Sequence, residues 1–203
     1  MDTYDLLVIG GGINGTGIAR DAAGRGLKVL LVEQSDIASA TSGWSSKLIH
    51  GGLRYLEYYE FRLVREALAE REVLLAIAPH LVRPMLFVLP HERSMRPVWM
   101  VRLGLWLYDH LGKRVSLPGS MAVKFPHIEY SAGLKSDLRD GFVYADCRVD
   151  DARLTLANAV AAREKGATVL TRTRFVSARR EGGRWEAQVD DTRTGERRTV
   201  GAA

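Results

Sequence analysis

The chain has 203 residues, 46% apolar and 26% charged, with a formal charge of +5 and a pI near 9.5. That length buries a core for one large domain or two small ones, and the lone Cys147, read as a small buried residue, excludes an internal disulfide framework and fits a reducing compartment. No stretch is long and apolar enough to span a bilayer, no basic n-region precedes the first apolar run, and the basic balance leaves nucleic acid, an anionic membrane surface or a small anionic ligand as partners.

In chain order, Tyr4 to Ile9 reads as a buried strand and Ile13 to Arg25 as a helix of small residues closed by Gly26. Lys28 to Val32 is a second apolar strand ending at Glu33, which completes a βαβ unit of about thirty residues. Asp36 to Leu53, rich in Ser, Gly and Ala, is a loop with room for one short helix. Glu60 to Ala78 is an amphipathic helix: Val64, Leu68 and Leu75 share one face, and Pro79 stops it. Leu86 to Leu89 is a short strand, and Pro97 to Leu111 is an unusually apolar helix. Asp151 to Lys165 is amphipathic, closed by Gly166; Asp150, Asp151 and Arg153 read as its N-terminal cap with a structural ion pair. Strands follow at Thr168 to Leu170, Arg174 to Ala178, Trp185 to Val189 and Arg197 to Val200, with hairpin turns at Glu181-Gly182-Gly183 and Thr194-Gly195-Glu196. A βαβ start, a mixed middle, a helix and a late β-meander predict an α/β nucleotide-binding layer with other elements inserted into it. The basic pairs Arg179-Arg180 and Arg197-Arg198 read as solvated faces. With basic residues scattered and no recognised motif, nucleic acid is not expected as a partner, and no metal site is predicted.

Five glycines fall within eight residues between the first strand and the first helix. Their spacing, Gly10-x-Gly12-x-x-Gly15, is the dinucleotide fingerprint in the context it requires. Gly10 permits a tight turn, Gly12 lets a pyrophosphate approach the backbone, and Gly15 lets helix and strand pack closely. The helix start, including Asn14, offers free N–H groups to phosphate. Glu33 is placed to accept hydrogen bonds from the adenosine ribose and disfavours a 2′-phosphate. The motif by itself does not separate FAD from NAD.

A second stretch runs Thr41-Ser-Gly-Trp-Ser-Ser-Lys-Leu-Ile-His-Gly-Gly-Leu-Arg-Tyr-Leu-Glu57. Its hydroxyls and glycine N–H groups suit phosphate and ring oxygens, Gly51-Gly52 lets a planar ring lie against the backbone, and Arg54 suits an anionic substrate group. The combination IGGGINGTGIARDAAGRG, SSKLIHGGLRYLE, EALAEREVLLAIAPHL, YDHLGKR and DDARL resembles the FAD-dependent glycerol-3-phosphate dehydrogenases of bacterial aerobic respiration, across essentially the whole chain.

The resemblance implies a Rossmann-like FAD-binding domain of the glutathione-reductase-like class with interleaved substrate-domain segments. Residues 1–78 would carry the ADP and flavin segments, 79–145 inserted substrate and membrane-facing segments, and 146–203 the return to the FAD-binding domain with the meander. The implied reaction is oxidation of sn-glycerol 3-phosphate to dihydroxyacetone phosphate, with hydride passing to flavin and electrons on to a membrane quinone. Gly10, Gly12, Asn14, Gly15 and Glu33 match the ADP site; Thr41, Ser42, Ser45, Ser46, Lys47, Leu48, His50, Gly51 and Gly52 match the flavin segment. Arg54 and Tyr55 match its substrate-side end, and Val176 a position that touches adenine through its backbone. His50 is read as a backbone support for the flavin in preference to a catalytic base, since a base needs geometry. Trp44 departs from the family, where a smaller residue is usual.

Family members are far longer, so the sequence is expected to be a truncated N-terminal piece. The main catalytic base and part of the phosphate clamp would lie beyond it, and the isolated chain is expected to be inactive and to bind FAD poorly. A cytoplasmic location at the inner face of the cell membrane and a homodimer of the full-length protein go with the same resemblance. Val98 to Tyr108, about 16 Å of helix, is too short to span but suits the interface, with Trp99, Trp106 and Tyr108 at headgroup depth and Arg96, Arg102, Lys113 and Arg114 near lipid phosphates; a buried helix is the other reading. The alternatives to the dehydrogenase are an oxidase of the same family using oxygen and a non-catalytic dinucleotide-binding module.

Overall fold

In a computed structural model that describes residues 1–92, 96–112, 115–125 and 129–203, Lys113 and Arg114 lie outside the described residues. The elements run β1 (Asp2–Tyr4), β2 (Leu6–Ile9), α1 (Ile13–Gly24), β3 (Val29–Val32), β4 (Leu48–Ile49), α2 (Phe61–Ile77), β5 (Val82–His91) and α3 (Val98–Leu111). They continue with β6 (Met121–Lys124), β7 (Asp140–Val149), α4 (Asp151–Glu164), β8 (Thr168–Leu170), β9 (Thr173–Glu181), β10 (Arg184–Asp191) and β11 (Arg197–Ala202), with short 3-10 segments at Thr41–Gly43, Leu53–Tyr58 and Glu129–Ser131. The chain divides into two compact units, Met1–Ser46 with Asp150–Ala203, and Lys47–Val149.

The first unit is three layers deep. A parallel sheet of order β2-β3-β8 forms the middle. All four residues of β3 are buried, and alternation along the strand decides which layer each one meets. Val29 and Leu31 face the helices, in a cluster with Val8, Ala19, Ala23 and Ala162, while Leu30 and Val32 face the meander through Ala187, Val189 and Val200. Alanines where α1 and α4 approach keep those helices close to the sheet. The second sheet, of order β1-β11-β10-β9, is the expected meander with β1 added in parallel beside β11.

The predicted single strand from Tyr4 to Ile9 is divided at Asp5. The Asp5 N–H donates to the Lys28 carbonyl (2.8 Å), and its carboxylate accepts from the Lys28 N–H (2.7 Å). One apolar run therefore feeds two sheets. The β9–β10 turn is Gly182-Gly183, both with positive φ (+58° and +84°), the backbone that a two-residue hairpin needs.

In the second unit, β7 is central: β5 pairs antiparallel along its whole length, and β4 and β6 share its other edge. Val64 and Leu68 of α2 and Tyr108 of α3 form a buried cluster, packed by Leu53, Leu56, Leu111 and Tyr144. β5 is ten residues long where four were predicted, because Pro84 and Pro90 sit in an edge strand, where a missing N–H is tolerated.

Candidate functional site

In the first unit the turn from β2 to α1 is built as its glycines require. Gly10 has φ +106°, a conformation open to glycine, and its N–H donates to the Val32 carbonyl (2.8 Å). A Cβ on Gly15 would drive into the Gly10 carbonyl oxygen and lie 3.4 Å from Val8 Cγ1, so helix and turn are in backbone contact there. Gly12 caps α1 in extended conformation, and a Cβ on it would lie 3.1 Å from Ser42 Oγ. Ser42 Oγ accepts the Ile13 N–H (2.9 Å), which ties the loop at Thr41–Gly43 to the helix start. The N–H groups of Asn14 and Gly15 sit in the first turn, without a carbonyl of their own helix four residues back, and the Asn14 side chain is exposed.

Glu33, at the end of β3, is half-buried. Its Oε2 accepts the Gly11 N–H and its Oε1 the Ser35 N–H, each at 2.7 Å. Each carboxylate oxygen keeps a further acceptor position, so Glu33 both braces the glycine turn and remains able to receive a hydroxyl. Ser45 is held from the other side: its N–H (3.1 Å) and Oγ (2.7 Å) donate to Asp151 Oδ2, while Asp150 caps α4 by accepting the Arg153 N–H (3.1 Å). Ser46 and Trp44 are exposed, Trp44 at 83%. Val176 has no register partner: Gln188 pairs with Ser177 and Val189 with Phe175, which leaves Val176 as the extra residue of a β-bulge. Its backbone groups are thereby released from the regular ladder.

The second unit carries residues 47–55. Lys47 adopts φ +57° and accepts the Val149 N–H at its carbonyl (2.9 Å); Leu48 and Ile49 pair with Arg148 and Cys147. His50 is exposed. Gly51 is buried, with no room for a side chain: a Cβ would strike Leu68 and lie 2.8 Å from Tyr108 Oη. The space that its missing side chain leaves is thus filled by α2 and α3. Gly52 has φ +72° and turns the chain into the 3-10 segment Leu53–Tyr58, which exposes Arg54 and Tyr55. The Arg54 guanidinium makes no hydrogen bond or ion pair among the described residues, so it is available for an anion.

Beneath Gly51 lies a polar cluster that the sequence reading passed over. Tyr108 Oη accepts the Gly51 N–H (2.7 Å) and donates to Asp146, 2.9 Å from each carboxylate oxygen. Arg71 Nη1 donates to Asp146 Oδ1 (2.6 Å) and to the Ala145 carbonyl (3.3 Å). Burial first, and then the Asp146 charge, raise the Tyr108 pKa far above the ordinary phenol, so Tyr108 stays protonated. Burial also pushes the Cys147 thiol up to about 11 against a smaller opposing pull from Arg71, which makes it an inert core residue. A cavity of about 10 Å³ beside Arg71 and Tyr108 is too small for anything beyond a water. The signal for this cluster was a lone acid, Asp146, inside an apolar run.

A glycine-turned βαβ unit, an acid closing its second strand and a meander on the opposite face define a dinucleotide-binding fold. The family model for FAD dependent oxidoreductases matches residues 5–203, and the chain belongs to that family. It is 62% identical over 197 residues to the aerobic glycerol-3-phosphate dehydrogenase of Escherichia coli (strain K12), covering 97% of this chain and 39% of that protein. It is 61% identical over 201 residues to the D-erythritol 1-phosphate dehydrogenase of Brucella abortus, covering 99% of this chain and 40% of that one. The crystal structure of the glycerol-3-phosphate dehydrogenase from Bacillus halodurans complexed with FAD matches 98% of this chain and 33% of its own, with a TM-score of 0.66 at 32% identity. The chain thus spans well under half the length of these relatives.

Proposed function

We propose that this chain carries the cofactor-facing and part of the substrate-facing machinery of an FAD-dependent enzyme that oxidises sn-glycerol 3-phosphate to dihydroxyacetone phosphate, with a membrane quinone as final acceptor. Its glycine turn fits the cofactor: at Gly15 a side chain would collide with the backbone, and Glu33 holds the turn with acceptor capacity left over. Bound FAD supplies the hydride acceptor. Asn14 and Gly15 present first-turn N–H groups to the pyrophosphate, Glu33 receives a ribose hydroxyl, and Val176 offers its bulged backbone to adenine. Ser46, Lys47, Leu48 and the His50–Gly52 backbone face the ring, and Arg54, with Tyr55 beside it, pairs with the substrate phosphate.

The single observation that carries this reading is the Gly11–Glu33 hydrogen bond across the Gly10–Gly15 turn. D-Erythritol 1-phosphate is a second substrate candidate, because a relative 61% identical bears that activity in its name and Arg54 would read the phosphate rather than the carbon chain. The reading also places the protein at an anionic membrane surface, through the exposed apolar side of α3; among the described residues no helix is long and apolar enough to cross a membrane.

A fluorescence titration with FAD, followed by anaerobic addition of each polyol phosphate, tests the proposal. Saturable FAD binding, weakened at least tenfold by Glu33→Arg, and saturable polyol phosphate binding, weakened at least tenfold by Arg54→Ala, are the expected results. FAD binding that Glu33→Arg leaves unchanged overturns the assignment of the ADP site, and an Arg54→Ala variant equal to the parent overturns the phosphate assignment.

A further inference from the structure

The cluster under Gly51 is expensive for a merely structural device. Arg71, Asp146 and Tyr108 are each 4% exposed or less, and burying a carboxylate against a guanidinium seldom stabilises a core more than apolar residues of the same volume do. Its hydrogen bonds converge on the Asp146 carboxylate, which accepts from Arg71 on one side and from Tyr108 on the other, and Tyr108 in turn accepts one backbone group, the Gly51 N–H. The peptide plane is trans, so the His50 carbonyl points opposite to that N–H. Fixing the N–H inward on Tyr108 turns the His50 carbonyl away from the core. The next residue, Gly52, makes the left-handed turn that launches the 3-10 segment bearing Arg54, with the Tyr55 N–H bonded to the Gly52 carbonyl (2.8 Å).

We propose that Tyr108, backed by Asp146 and Arg71, is a positioning residue that locks the His50–Gly51 peptide and thereby aims the His50 carbonyl at the flavin ring and Arg54 at the substrate phosphate. The inference rests on the reading that residues 45–55 lie along the flavin. Tyr108→Phe removes the acceptor for the Gly51 N–H and a donor to Asp146 while keeping the ring that packs against Val64, Leu68 and Tyr144.

The test measures amide hydrogen exchange at Gly51 and the FAD dissociation constant in Tyr108→Phe. Val64→Ala, which thins the same core without touching the hydrogen bond, sets the baseline for general destabilisation. In Tyr108→Phe, exchange at Gly51 and the FAD dissociation constant each exceed their Val64→Ala values at least fivefold. Should Tyr108→Phe fail to fold, Asp146→Asn, close in shape and weaker as an acceptor, moves both readouts in the same direction. Values for Tyr108→Phe within twofold of Val64→Ala, with FAD bound normally by the parent, overturn the positioning role alone. FAD that binds the parent without altering amide exchange across residues 45–55 overturns the flavin reading on which it rests.

Discussion

Gly15 and Gly17 stand two residues apart on α1, and their surroundings give them opposite roles. A methyl group on Gly15 meets the Gly10 carbonyl, backbone that cannot step aside, whereas a methyl group on Gly17 meets nothing within 4 Å. Gly15→Ala should therefore overpack the turn and destabilise the protein by about 1–3 kcal/mol. Gly17→Ala should stabilise it by about 0.5–1 kcal/mol through helix propensity and a less disordered unfolded chain. Urea midpoints of the two variants check both signs, and equal shifts would show that the turn relaxes freely. The glycine spacing made this half of the site legible, since each position has a steric reason that a motif can carry. The second glycine pair was legible only as a loop. Gly51 answers to Leu68 and Tyr108, which are distant in sequence, and no local pattern encodes such a contact.

Among the elements, the meander shows how one acid organises three strands. Asp190 of β10 lies in register with Arg174 of β9 and Arg197 of β11. Its carboxylate accepts from Arg197 Nε (2.7 Å) and Nη2 (3.0 Å) and, more weakly, from Arg174 (3.4 Å). The Arg197 hydrogen bonds, and after them its charge and that of Arg174, hold the Asp190 carboxyl below the usual carboxylate range. A lowered folded-state pKa stabilises above the unfolded value of about 3.9 and loses that stabilisation as pH falls through the folded value. Asp190→Asn should therefore unfold at lower denaturant than the parent at neutral pH, with the gap closing below about pH 4; a constant gap from pH 7 to pH 3 would assign the difference to packing. Arg197, read from sequence as a solvated charge, is thus a cross-strand partner. The sequence predicts the βαβ unit, the meander and α1 to α4 because each shows a clear period or a clear stop signal. It missed β7 altogether. That strand is buried on both faces, so it lacks alternation, and its buried Asp146 breaks the apolar run. β5 was shortened for a related reason, since its two prolines read as breaks until its place at the sheet edge is known.

At the scale of the whole molecule, α3 unites two readings that the sequence set against each other. Leu105 and Tyr108 are buried, which removes Tyr108 from the headgroup-depth residues expected of this helix because its hydroxyl is held by Asp146, whereas Trp99, Leu103 and Trp106 on another side are 63%, 48% and 54% exposed. A helix apolar on both its buried and its exposed side satisfies the core reading and leaves large aromatic surface in water, which marks an interaction surface. Cations flank it unequally. Arg96 is engaged with Glu57 at 3.5 Å, while Arg102 has no ion pair among the described residues. Trp rings at headgroup depth together with a free arginine suit anionic lipid. Vesicles containing anionic lipid should therefore pellet the protein, and they should do so less as salt rises, because exposed charges are screened over about 8–10 Å at physiological ionic strength. Trp99→Ser with Trp106→Ser should reduce pelleting several-fold at any salt concentration. Arg102→Glu should reduce it chiefly at low salt, and by more than Arg96→Glu, whose charge Glu57 already offsets. Unchanged co-sedimentation of the double tryptophan variant would remove the membrane from the proposal. Equal effects of the two arginine substitutions would show that the attraction comes from the net charge of +5 rather than from this helix.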